Sequence, residues 1–203
     1  MAIAIAKPRL LLVEGIDDKR FIAALMAALV IDAQVEPVAG KTNTALNLRA
    51  LVKTPGFTGV HTLAIVRDAD DDANAAFQSV SGALDAAGLP RPDAPAVFVN
   101  GPPRIGIFVL PGNGDPGALE TLCLTSVRDD TRLRCVHQFL ECLREIAIIH
   151  SSETVKAKAM VQAFLGAQSD PGKRLGESAE AGYWPLDSPA FEALSTFLRE
   201  MAK

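Results

Sequence analysis

Glu14, Asp68 and Asp70 are the residues whose type and placement point to chemistry. Glu14 follows a short apolar run, Arg9-Leu10-Leu11-Leu12-Val13, and precedes Gly15. Asp68 and Asp70 come just after a second run, Thr62-Leu63-Ala64-Ile65-Val66, inside the stretch Arg67-Asp68-Ala69-Asp70-Asp71-Asp72. Short apolar runs of this kind suit strands buried on both faces of a parallel sheet. In such sheets ligands bind outside the carboxyl ends of the strands, near the switch in strand order. If both runs are central strands, the three carboxylates converge on one small volume. Crowded carboxylates repel, and at least one pKa rises unless a cation sits between them. A hard divalent ion, Mg²⁺ or Mn²⁺, relieves that repulsion and prefers oxygen ligands. An acidic metal-ion site is the expectation.

Each acid also has a plainer reading. Glu14 could cap the following helix, and Asp68 and Asp70 could form an acidic turn that only satisfies backbone amides. Asp17, Asp18, Asp71 and Asp72 read as helix-start residues favoured by the helix dipole.

The elements that must position these acids alternate. After the strand at 9–13, Asp17 or Asp18 can cap a helix with Phe21, Ile22, Leu25, Met26 and Leu29 at helical spacing. A strand over 34–38 follows, and its Pro37 suits a sheet edge. A helix over 44–52, the strand at 62–66 and a helix over 74–87 come next. Strands at 96–100 and 105–110, joined by Gly101-Pro102-Pro103, predict a hairpin with one antiparallel pairing. Alternation of this kind marks a mostly parallel α/β sheet flanked by helices. Beyond Gly117 the chain reads as helices over 118–126, 130–149, 153–166 and 188–202, with a Gly/Pro/Asp/Ser-rich break at 166–189. No linker-like composition separates the halves. Residues 1–111 are therefore expected to form the α/β core, and 112–203 a helical extension of the same domain packed on it.

The combination Val13-Glu14-Gly15 and Asp68-Ala69-Asp70, each after an apolar strand, resembles the two motifs of the Toprim fold. That family includes bacterial-type primases, type IA and II topoisomerases, recombination-repair proteins, small-RNA maturases and the overcoming-lysogenization-defect nucleases. The resemblance covers roughly residues 8–111. The longer pattern VEGIDDKRFI, IVRDADDD and LPGNGDPGALETLCL is similar to small uncharacterised bacterial Toprim-like proteins. The resemblance implies that Glu14 is the general acid or base of phosphoryl transfer, and that Asp68 and Asp70 hold Mg²⁺. It also implies a place beside them for Glu120, whose competing reading is an ordinary acid in a helix's first turn. Lys19, Lys41 and Arg67 are candidate phosphate contacts, each with the competing reading of a solvated surface charge.

Other chemistries lack their residues. Neither glycine-rich stretch, 101–106 or 111–117, ends in the Gly-Lys-Ser/Thr of a nucleotide-binding loop. His61, His137 and His150 lack zinc spacing, and no Gly-x-Ser-x-Gly elbow occurs. A receiver-like phosphorylation domain would need a Lys after the strand at 105–110, and none follows. Nothing resembles the tyrosine-bearing domain of topoisomerases or the accessory modules of a primase.

Two functions compete. One is a Mg²⁺-dependent nuclease-like enzyme acting on nucleic-acid phosphodiester bonds. The other is a non-catalytic binding or regulatory protein on the same scaffold, with Tyr183 and Trp184 of the 166–189 segment as a partner surface, unless that segment folds over the acids. The net charge of −4 and the absence of a basic stripe give nucleic acid or nucleotide binding no support from charge. Aromatic residues, at 5%, argue against a module that stacks bases on aromatic platforms. Cys123, Cys135 and Cys142 read as small buried hydrophobes in a reducing cytoplasm. No signal peptide or membrane-length apolar run is evident. A protein partner is open, and so is the oligomeric state.

Overall fold

The structure is a computed structural model describing residues 4–38, 44–147 and 150–203. Its elements run β1 (Arg9–Val13), α1 (Ile16–Ala28), β2 (Gln34–Pro37), α2 (Thr44–Leu51), β3 (Thr62–Asp68), α3 (Ala73–Ala86), β4 (Phe98–Val99) and β5 (Arg104–Leu110). The helical half follows as α4 (Leu119–Ser126), α5 (Thr131–Glu145), α6 (Glu153–Gly166), α7 (Leu175–Glu180) and α8 (Glu192–Met201). The strands form one sheet in the order β2-β1-β3-β5-β4. All pairings are parallel except β4 with β5, where Phe98 opposes Gly106 and Val99 opposes Ile105. The class is α/β, as the alternation predicts, and Pro37 lies on the edge strand.

Strand alternation divides the core in two. Leu11, Val13, Ala64, Val66, Phe108 and Leu110 face α1 and the helices after β5. Leu10, Leu12, Leu63, Ile65, Ile105 and Ile107 face α2 and α3. The chain leaves β1 toward one face through α1, and leaves β3 toward the other through α3. With β1 and β3 adjacent, their carboxyl ends flank the switch in strand order, where an open sheet forms a crevice. Residues of the helical half pack on one face of the sheet. Arg104 ties its last helix down by donating to the Glu200 carbonyl at 2.9 Å. No helix among the described residues is long and apolar enough to cross a membrane.

Several local expectations need correction. Gly15, not Asp17 or Asp18, is the N-cap of α1, and Asp18 reaches back to accept the Gly15 N–H at 2.8 Å. The strand expected over 96–100 is regular only at Phe98–Val99; Ala96 takes a left-handed backbone with φ 61° and still donates its N–H to the Ile107 carbonyl at 2.7 Å. Only Cys123 is buried; Cys135 and Cys142 are exposed on α5, which turns Leu133 and Val136 inward instead. The segment 166–189 contains a helix, α7, that composition hid. Trp184 is 2% exposed, not a surface residue. Its indole N–H donates to Ser178 Oγ at 2.7 Å and its ring stacks on Phe164 at 5.3 Å.

Gly176 lets α7 lie against the start of α1. A Cβ there would sit 2.5 Å from the Arg20 Cβ and 2.7 Å from the Asp17 carbonyl oxygen. Gly176→Ala should therefore cost about 1–3 kcal/mol through overpacking. Gly82, inside α3 with nothing within 4 Å of a Cβ, is the control: Gly82→Ala should stabilise by about 0.5–1 kcal/mol. Urea denaturation of both variants checks the pair, and equal midpoints would mean that α7 docks loosely.

Candidate functional site

The site is assembled from ends. Glu14 leaves β1, Asp68 is the last residue of β3, Asp18 lies in the first turn of α1 and Glu120 in the first turn of α4. All four line one cleft of about 770 Å³, whose far wall is Lys158, Val161, Gln162 and Leu165 of α6 with the 172–175 stretch. Those α6 residues fall at helical spacing, so one face of the helix looks into the cleft.

Asp68 is 8% exposed. Its Oδ1 accepts the Leu119 N–H at 3.1 Å, taking one of the unpaired amides at the start of α4. Its own N–H donates to Glu14 Oε1 at 3.2 Å, while Arg67 Nε lies 3.0 Å from the same oxygen. Asp70 has a left-handed backbone at φ 52°, a conformation that Asp tolerates better than most residues. It exchanges two backbone hydrogen bonds with Gly117, at 2.9 and 2.8 Å. Gly117 itself has φ 149°, and a Cβ there would meet Thr121 Oγ1 at 2.8 Å. This stitch between the β3–α3 and β5–α4 loops brings the start of α4, and so Glu120, to Asp68.

Charge accumulates as a result. Burial pushes the Asp68 carboxyl well above its usual pKa, and Asp18, Glu14 and Glu120 push it further. Burial also raises Asp18, with Asp17 adding to it, and raises Glu120, with Asp18 and Asp70 adding. Lys158 opposes the shift in all three. Beneath them the Cys123 thiol, raised chiefly by complete burial, is inert.

Glu14, Asp68 and Glu120 are thus brought to one cleft. Asp70 lies near enough to act on Glu120 but is not among the residues lining the cleft. Arg67 pairs with Glu14, and Lys19 pairs with Glu36 at 3.0 Å. Lys41 lies outside the described residues. Asp18 and Lys158 were missed. The Asp18 signal was its position four residues after Glu14, one helical turn into a helix that starts at the cleft. For Lys158 the signal was only its place on the face shared with Val161 and Leu165.

The model of a family described as a protein of unknown function, DUF3226, matches residues 8–203. The chain belongs to the DUF3226 family. No curated protein and no solved structure matches this DUF3226 chain. The match spans α/β core and helical half together.

The donor chemistry fits a hard dication: four carboxylates, three of them destabilised in the ionised form by burial and by one another. Among the described residues, however, no group of three or more His, Cys, Asp or Glu is arranged to hold a metal ion. The side chains stand apart around the cleft instead of closing on a point.

The raised pKa values carry a pH consequence. A carboxyl that binds its proton more tightly when folded favours folding below its unfolded-state pKa, and that contribution is lost as pH rises. Asp68→Asn keeps an oxygen for the Leu119 N–H and removes the charge. Measured without metal, the variant's melting midpoint should gain on wild type as pH rises from about 4 to neutral. A constant difference across that range would show that Asp68 ionises without strain.

Proposed function

We propose that this chain is a Mg²⁺- or Mn²⁺-dependent phosphoryl-transfer enzyme of Toprim-like type, acting on nucleic-acid phosphodiester bonds. The observation that carries the reading is the placement of Glu14, Asp18, Asp68 and Glu120 around one cleft at the carboxyl ends of β1 and β3, the switch point of the sheet. Buried acids that repel one another oppose folding and need a reason to persist, and a cation shared between them is the simplest one. Asp68 and Glu120 would hold the metal, with the charges of Asp18 and Asp70 nearby. When bound, a divalent ion supplies Lewis-acid stabilisation of the charge that develops on a phosphoryl oxygen.

Glu14 has a different task. Its Oε1 is oriented by the Asp68 N–H and by Arg67, so the carboxylate is held at the cleft edge by contacts that do not use a metal. That placement suits a group that takes a proton from the attacking nucleophile or returns one to the leaving oxygen. The plainer alternative, a cap for α1, falls to Gly15 and Asp18 instead.

A second reading is a non-catalytic binding or regulatory protein on the same scaffold. It is favoured by the open arrangement of the acids and by the use of Asp68 as a partner for the α4 amide.

Calorimetric titration with Mn²⁺ and Mg²⁺ separates the two. Wild type should bind saturably, and Asp68→Asn/Asp70→Asn should abolish binding. With a single-stranded oligonucleotide and Mn²⁺, Glu14→Gln should lower turnover by about 10²–10⁴-fold while leaving Mn²⁺ binding in place. Wild-type protein that binds neither ion and cleaves nothing would leave the binding-protein reading standing.

A further inference from the structure

The positive charge of the cleft comes from the helical half. Lys158 of α6 is half-buried in the cleft wall. Its charge acts on Asp18, Asp68 and Glu120, yet its side-chain ammonium forms no hydrogen bond or ion pair with any described residue. Elsewhere cations are mostly neutralised on the spot, as Lys19 is by Glu36 and Lys173 by Asp170 at 2.6 Å. Arg174, exposed at the rim of the same cleft, likewise has a side chain without an ion-pair partner among the described residues. Its backbone N–H, not its guanidinium, meets Glu177 at 3.0 Å. Two cations without an ion-pair partner among the described residues therefore border the acidic cleft. Between them, Ile16, Val161, Leu165 and Leu175 line the cleft with apolar surface.

The size of the cleft is equally informative. About 770 Å³ falls within the roughly 300–1,000 Å³ of small-ligand sites. A duplex would need a basic stripe and a far wider contact, and the chain carries a net charge of −4.

We propose that Lys158 and Arg174 form a phosphate subsite on the helical wall of the cleft. Its ligand is a phosphate ester of one or two nucleotide units, a free nucleotide or the end of a single strand, and not a duplex. The inference rests on the phosphoryl-transfer reading: the acids, through a metal, would meet the phosphate from below and the two cations from the side. Bare carboxylates repel a phosphate, so the two cations are what would hold the ligand where no metal is bound. The apolar stretch gives a sugar or base a surface to lie against.

The test is calorimetry on wild type, Lys158→Met, Lys158→Arg and Arg174→Met. The probes are thymidine monophosphate, a 5′-phosphorylated single strand and a duplex of the same sequence, each with and without Ca²⁺ to limit turnover. A separate Mn²⁺ titration monitors the acids. We expect Lys158→Met to weaken binding of the nucleotide or single strand about 10- to 100-fold, the loss of one charge-assisted hydrogen bond. Lys158→Arg should recover most of it, and Mn²⁺ affinity should hold or rise once the cation is gone. The comparison of free nucleotide with strand tells which source is used. Unchanged ligand binding with tighter Mn²⁺ binding in Lys158→Met would mean that Lys158 only neutralises the acids, and the subsite is overturned. A duplex bound more tightly than the single strand overturns the size argument. Wild-type protein that binds Mn²⁺ but none of the probes removes the subsite and leaves the metal reading. Lys158-dependent nucleotide binding without Mn²⁺ binding does the reverse.

Discussion

A carboxylate buried at the end of a central strand has to find partners, and the partners of Asp68 organise this molecule's chemistry. Water reaches little of it, so the side chain turns to the first amide of α4, at 3.1 Å. That single contact joins the last strand residue of the α/β core to the first element of the helical half. It satisfies a helix terminus that Ala118 has no side chain to cap. It also sets the start of α4 down where Glu120 must share space with Asp68, with the reciprocal Asp70–Gly117 hydrogen bonds holding the two loops in register. The cost is electrostatic. Every acid added to the crevice raises the pKa of its neighbours, and burial raises them further.

The two halves of the chain make different contributions to one cleft. The sheet supplies negative charge at the ends of β1 and β3, where the departure of α1 and α3 to opposite faces opens a crevice. The helical half supplies a wall, an apolar surface and the positive charge. Trp184, packed on Phe164 and hydrogen-bonded to Ser178, anchors the stretch that forms the rim. The close approach allowed by Gly176 presses α7 onto the first turn of α1. A chain cut after β5 would keep three of the acids but lose Glu120, Lys158, Arg174 and the wall opposite.

Much of this was legible beforehand, for reasons that lie in single residues. Apolar runs of strand length ending in Glu14 and Asp68 could only be strands with acids at their carboxyl ends, and Pro37 marked an edge. Arg67, grouped with the candidate phosphate contacts, pairs with Glu14 in the fold. The physical reason is that side chains of adjacent strand residues point to opposite faces, which takes Arg67 away from the side that Asp68 faces. The 166–189 segment resisted because its helix is held by packing. Leu175 and Ala179 are buried against neighbours far away in sequence, and six residues carry too little periodicity to announce a helix.

By itself, the sequence determined what is local: which of the longer runs become strands and helices, the order in which they alternate, and the acids that end β1 and β3. Periodicity of two or 3.6 residues and the turn chemistry of Gly and Pro act over a few residues, and no partner is needed to read them. Tertiary structure alone decided which distant groups share a volume. Asp18 became part of the acidic cluster only because α1 starts at the crevice, and Lys158 faces it only because α6 packs across the opening. Charge interactions depend on distance through space and on burial, and neither is written in the spacing of residues along the chain.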